Sequence, residues 1–135
     1  MANGNGRALL DIPTRAFNFG VRIIALCQRL DRVPGVGRTL CSQLLRAGTS
    51  IGSNIEEGQA AESKADFISK YGIALKEARE SNYRLRLLLA ARVSIDPDLV
   101  PLQAEAAELM RILGSSIVTA KRTAAAERVS KRSRR

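Results

Sequence analysis

Seven residues, Phe67, Tyr71, Ala74, Ala78, Ser81, Leu85 and Leu88, fall at alternating steps of four and three without a slip. This spacing lines one face of an α-helix for about six turns, and it excludes a strand, whose side chains change face at every residue. Two other stretches carry the same mark: Leu40, Leu44, Ala47, Ile51 and Ile55 before it, and Leu99, Leu102, Ala106, Leu109, Leu113, Ser116 and Ala120 after it. Apolar seams of this kind are stable only against one another.

The remaining helix precedes them. Asp11 can cap a helix entered through Pro13, and the pattern runs to about residue 32. Arg15, Asn18, Arg22 and Arg29 form one narrow polar stripe on it. Ala16, Phe17, Phe19, Val21, Ile23, Ile24, Leu26, Cys27 and Leu30 fill most of the remaining circumference. A helix so apolar is buried on more than one side, and with the third helix it offers a surface for self-association. Turn residues at 33–37 separate it from a second helix over about 38–57, with Gly58 as the C-terminal cap. Ser63, three residues before Asp66, opens a third helix over about 64–93, and Asp96-Pro97 opens the fourth. The expected fold is all-α, an antiparallel up-down-up-down four-helix bundle over 11–124. A flexible leader over 1–10 precedes it, and a basic disordered tail over 125–135 follows; the alternative is a helix prolonged over 124–129 with disorder from Ser130.

Gly48 and Gly52 lie four apart inside the second helix. An interior Gly costs a helix about 1 kcal/mol relative to Ala, so a pair of them predicts close approach of a neighbouring backbone.

Composition narrows the chemistry. The 135 residues include no histidine, which removes Ser-His and Cys-His nucleophile pairs, His-ligated zinc and the Glu-x-x-His di-metal sites of helical bundles. No cofactor or metal is expected, and the chain reads as a non-enzyme. Cys27 and Cys41 sit within helical patterns as small core residues. No apolar run approaches the ~20 residues that span a bilayer, and no cleavable signal pattern opens the chain, so the expected location is the cytoplasm with no membrane partner. No glycine-rich phosphate loop is present.

Charge points elsewhere. Net charge is +9, and most of the excess lies in Lys121, Arg122, Arg128, Lys131, Arg132, Arg134 and Arg135, set against Glu127 alone. A second group, Lys76, Arg79, Tyr83 and Arg86, continued by Arg92, follows the side of the third helix opposite its seam. Arginine bridges phosphates bidentately and Tyr83 offers a stacking face, so these positions are the candidate nucleic-acid contacts. The alternative for the stripe is an ordinary solvated helix face. Glu77 and Glu80 read as partners for Lys76, Arg84 and nearby basic side chains rather than as an acid/base pair. Asn54, Glu56 and Glu57 either organise a site at the mouth of the bundle or satisfy backbone groups in the following loop.

Residues 43–58, QLLRAGTSIGSNIEEG, resemble the signature Q-x-x-R-A-x-x-S-I-x-x-N-I-A-E-G of bacterial four-helix-bundle proteins first noticed in intervening sequences of large-subunit ribosomal RNA. Gln43, Arg46, Ala47, Ser50, Ile51, Asn54, Ile55, Glu57 and Gly58 carry the match, and Glu56 departs from it, standing where the family usually has Ala. The likeness continues through 63–68, 73–81 and 83–88. It implies the same bundle. The family includes the accessory variability determinant of diversity-generating retroelements, which is similar in size, topology and basic character. That likeness implies a homopentamer that binds RNA or an RNA-DNA intermediate beside a reverse transcriptase. The rival expectation is an oligomeric scaffold whose charge is incidental.

Overall fold

The computed structural model describes residues 11–134, which form four α-helices. Helix α1 (Ile12–Leu30) starts where Asp11 Oδ1 accepts the Thr14 N–H at 2.9 Å, with Pro13 in a first turn whose N–H groups need no helical partner. Gly35, at φ +129°, turns the chain into α2 (Val36–Gln59) through a conformation that side-chain-bearing residues rarely adopt. Ser63 accepts the Asp66 N–H at 3.1 Å and opens α3 (Lys64–Ala90). Before α4 (Leu99–Ser133), Asp96 Oδ1 accepts the Asp98 N–H at 2.9 Å.

The helices run up-down-up-down. α2 packs on α1 and α3, and α3 packs on α4. The core is the predicted one: Leu44, Ile51 and Ile55 of α2, Tyr71, Leu85 and Leu88 of α3, and Leu99, Leu102 and Leu109 of α4 are all shielded from water. α1 adds Phe19, Ile23 and Leu26.

The fourth side of the bundle is made differently. Arg15 bonds Glu105 through both Nε and Nη2, Arg22 bonds Asp98 at 2.8 Å, and Arg29 bonds Asp96. The polar stripe of α1 is therefore a seam of arginine–carboxylate pairs to α4 and its entry turn. It leaves Phe17, Val21 and Ile24 exposed on the outer side of α1, at 61%, 50% and 43%. The expectation that the apolar surface of α1 is buried on more than one side holds toward α2 and the core but not for the Phe17, Val21 and Ile24 row.

Four sequence readings are corrected. Gly58 does not cap α2; it lies inside the helix, buried, where a Cβ would stand 2.7 Å from Tyr71 Cδ1. Its role is to admit the tyrosine ring. Pro97 precedes α4, and Pro101 instead occupies the first turn, where no helical N–H is required. α3 stops at Ala90, not near 93. The helix of α4 continues to Ser133, so the expected change from bundle to disordered tail at 124/125 falls within an unbroken helix. Nothing after Gly114 breaks it, and Ala124, Ala125, Ala126, Glu127 and Arg128 are strong helix formers. The expected leader over 1–10 lies outside the described residues.

The two glycines of the pair differ. A Cβ on Gly52 would sit 3.5 Å from the Ala16 carbonyl carbon, an ordinary contact, so the α1 backbone passes near without excluding a side chain. At Gly48 the neighbour is a side chain: Ile23 Cγ1 and Cγ2 would each be 3.0 Å away.

Candidate nucleic-acid interface

Most basic side chains in the first three helices are already engaged. Besides the α1 seam, Arg38 pairs with Asp31, Arg46 with Glu77 and Glu80, Lys64 with Glu127, and Lys70 with Glu57. Arg84 lies 3.8 Å from Glu80, and its buried Nε has no hydrogen-bond partner among the described residues. Glu77 and Glu80 thus serve an arginine of α2 as well as Arg84, a cross-helix role that sequence spacing does not show. Hydrogen bonding to Glu80 and the field of both carboxylates push the Arg46 pKa above its ordinary value.

The family-type signature is a packing device. Ala47, Ile51 and Ile55 are fully buried, Ser50 Oγ donates to the Arg46 carbonyl at 2.6 Å, and Asn54 Nδ2 donates to the Ser50 carbonyl at 2.9 Å. Asn54 therefore bonds back into its own helix rather than into the following loop. Glu57 reaches Lys70 of α3 at 2.9 Å. Gln43 and Glu56 are exposed. Gln59 Nε2 donates to the Tyr71 hydroxyl, while burial pushes the Tyr71 pKa up. Arg46, Glu57 and Gly58 all act at the contact between α2 and α3.

Among the described residues, Lys76, Arg79 and Arg92 form no ion pair, and the same holds for Lys121, Arg122, Arg128, Lys131, Arg132 and Arg134 of α4. All nine are exposed, Lys76 and Arg79 on the outer side of α3. Arg135 lies outside the described residues. On α3 the stripe is built from below: Asn82, 8% exposed, donates to the Gln103 carbonyl of α4 at 3.3 Å and accepts from Arg86 Nε at 3.0 Å. The guanidinium so held lies 5.6 Å from the centre of the half-exposed Tyr83 ring, within cation–π range. Asn82 is the residue sequence reading missed. Its position four before Arg86 was the available signal, because side chains four apart meet on a helix.

The candidates do not form one patch. The Lys64–Glu127 pair sets the register of α3 against α4. At a rise of 1.5 Å per residue, Lys76 lies about 18 Å along α3 from that pair, Arg86 about 33 Å, and Arg92 about 42 Å. Arg92 thus stands at the end of the bundle opposite the cationic end of α4. Its backbone also closes α3. At φ +54°, the Arg92 N–H bonds the Leu89 carbonyl, and the next N–H, of Val93, bonds the Leu88 carbonyl at 3.1 Å. This is a Schellman termination in which Arg92 takes the left-handed position usually given to Gly.

Among the described residues, no group of three or more His, Cys, Asp or Glu could hold a metal, and no helix is long and apolar enough to cross a membrane. A polar-rimmed cleft of about 640 Å³ lies between the α2–α3 connection and α4, lined in part by Gln59, Ser63, Phe67, Ser116 and Thr119. It brings together hydroxyls with Glu62 and Lys64, and Lys64 is already paired with Glu127.

The model of one family, described as 23S rRNA-intervening sequence protein, matches residues 9–115. A solved structure from Bacteroides thetaiotaomicron, described as a protein with unknown function from the S23 ribosomal protein family, is 37% identical. The match covers 79% of this chain and 98% of that one, with a TM-score of 0.72. No curated protein matches, and neither description names an enzymatic activity. The matched region contains the α2 signature and the whole α3 seam, and it stops before the cationic half of α4. The chain belongs to the family of 23S rRNA-intervening sequence proteins.

Proposed function

We propose that this protein is a non-enzymatic RNA-binding bundle that recognises phosphate and shape. One observation carries the reading. Every arginine of α1 and α2 is held in an ion pair, and among the described residues the exposed unpaired cations, Arg32 and Arg92 apart, fall on the outer stripe of α3 and the distal part of α4. Lys76, Arg79 and Arg86 supply phosphate contacts at mid-bundle, Tyr83 supplies a partial stacking face, and α4 adds sequence-independent attraction. The description of the matched family agrees with an RNA-associated role.

The finer reading is an oligomer, a pentamer by resemblance, acting on RNA or an RNA-DNA intermediate beside a reverse transcriptase. Self-association is supported by the exposed apolar row Phe17, Val21 and Ile24, whose occupant on this reading is a second copy of the chain. Val21→Glu should then lower the mass seen by light scattering while leaving helicity intact; an unchanged mass refutes this occupant.

RNA binding is tested by fluorescence anisotropy with a labelled structured RNA across a salt series. Binding should weaken steeply as salt rises, and the triple variant K76A/R79A/R86A should flatten the slope of log K against log salt by about 2 to 3. Lack of binding at low salt, or affinity that ignores salt, refutes the proposal and favours the scaffold reading.

A further inference from the structure

Fourteen positions separate Cys27 and Cys41, yet the α1–α2 hairpin brings them face to face. The Cys27 thiol donates to the Cys41 backbone carbonyl oxygen at 3.5 Å, which sets the two cysteines against each other across the hairpin. Both belong to the core, at 7% and 3% exposure. The pair is not sealed, however. A surface cavity of about 410 Å³ is lined by Cys27 and Cys41 themselves together with Ile24, Asp31, Arg38 and Leu45. The Arg38–Asp31 ion pair, at 3.0 Å, stands in its wall.

The two sulfurs are also unequal. The neighbouring Cys27 thiol draws the Cys41 thiol pKa below its ordinary value, against the opposing effects of burial and Asp31. The neighbouring Cys41, with burial, pushes the Cys27 thiol up. A thiol that ionises more readily beside one that keeps its proton is the arrangement in which one sulfur attacks and the other resolves.

We propose that Cys27 and Cys41 form a reversible intramolecular disulfide, with hydrogen peroxide entering through this cavity as the oxidant. The Cys41 thiolate attacks one peroxide oxygen. The O–O bond breaks, and hydroxide departs and takes up a proton to become water. Cys41 is then a sulfenic acid. The Cys27 sulfur attacks the Cys41 sulfur, an S–S bond forms, the S–O bond breaks, and a second water leaves with the Cys27 proton. Two electrons pass from the thiols to one peroxide, and a dithiol reductant reverses the change. The new bond ties α1 to α2 across their short turn, which restricts the unfolded chain.

The test uses the folded full-length protein treated with hydrogen peroxide. Its intact mass should fall by two hydrogen atoms, proteolysis should release a Cys27–Cys41 linked peptide, and melting should move to higher temperature until dithiothreitol restores it. In Cys27→Ser, which cannot resolve, dimedone should label Cys41. The proposal is overturned if both thiols still alkylate after treatment, if the disulfide joins two chains, or if it forms only in denaturant.

Discussion

Substituting Gly58 by Ala adds one methyl group where the structure has no room for it. The new carbon would stand 2.7 Å from Tyr71 Cδ1 and 2.8 Å from Cε1, whereas carbon atoms pack at about 3.5 to 4.0 Å. The ring would have to retreat by nearly 1 Å. It is fully buried, it stacks on Phe67 with centroids 4.1 Å apart, and its hydroxyl is held by Gln59. Overpacking of this kind costs about 1 to 3 kcal/mol. Ala gains up to about 1 kcal/mol over Gly in a helix, and less at 58, in the last turn of α2. The net expectation is a loss of about 1 to 2 kcal/mol, which for a chain of this length lowers the melting temperature by about 4 to 8 °C. Gly52→Ala is the internal control. Its Cβ would make an ordinary 3.5 Å contact with Ala16, so propensity dominates and melting should rise by about 4 °C. Thermal melting followed by far-UV circular dichroism decides the matter. If Gly58→Ala melts at or above the parent, close approach to Tyr71 is not the reason for that glycine; if Gly52→Ala also melts lower, the Ala16 contact is not an ordinary one.

Other expectations follow from single contacts. Arg92→Gly should raise stability by about 1 kcal/mol in denaturant titration, because it relieves a left-handed backbone; destabilisation would show that the arginine side chain matters more than its φ. The Arg29 guanidinium holds the Asp96 carboxyl below its ordinary pKa. That pairing contributes stability above the ordinary Asp value of about 3.9, and the contribution disappears as pH falls through the lower folded value. Asp96→Asn should therefore melt below the parent at neutral pH, with the two converging in acid; a gap that persists there would place the effect in packing. Deleting residues 125–135 should remove helical signal in proportion, weaken RNA binding, and shift melting little, since the exposed Lys64–Glu127 pair contributes at most about 1 kcal/mol.

The bundle was legible because its seams obey a single period. Phe67 to Leu88 on α3 and Leu99 to Leu113 on α4 needed no knowledge of their partners to be placed inward. Boundaries were less legible where two signals compete. Gly58 has the composition of a cap, and only the position of the Tyr71 ring shows that its missing side chain serves packing. Arg92 shows the reverse, a cap position filled without glycine. Past Thr123, apolar periodicity ends while local propensity continues, and reading the first without the second shortens α4. Of the candidate interface, exposure was foreseeable from the helical wheel. What could not be foreseen was which cations would remain unpaired. Arg15, Arg22 and Arg29 look like a solvated stripe in sequence until α4 and its entry turn present Glu105, Asp98 and Asp96.

That arginine seam acts as a latch between α1 and α4 with its entry turn. α1 is joined to α2 by glycine contacts and buried apolar side chains, which added salt does not weaken, and to α4 and its entry turn largely by charge. Ions at 0.1 M screen exposed charges beyond about 10 Å, and the Arg22 and Arg29 pairs are open enough to feel them, while Arg15–Glu105 is more sheltered. Rising salt therefore acts on the latch from its Asp96 end, at the same time as it competes with phosphate for Lys76 and Arg79. A salt titration of RNA binding is interpretable only beside melting curves in the same buffers, and those curves report directly how firmly the latch is closed.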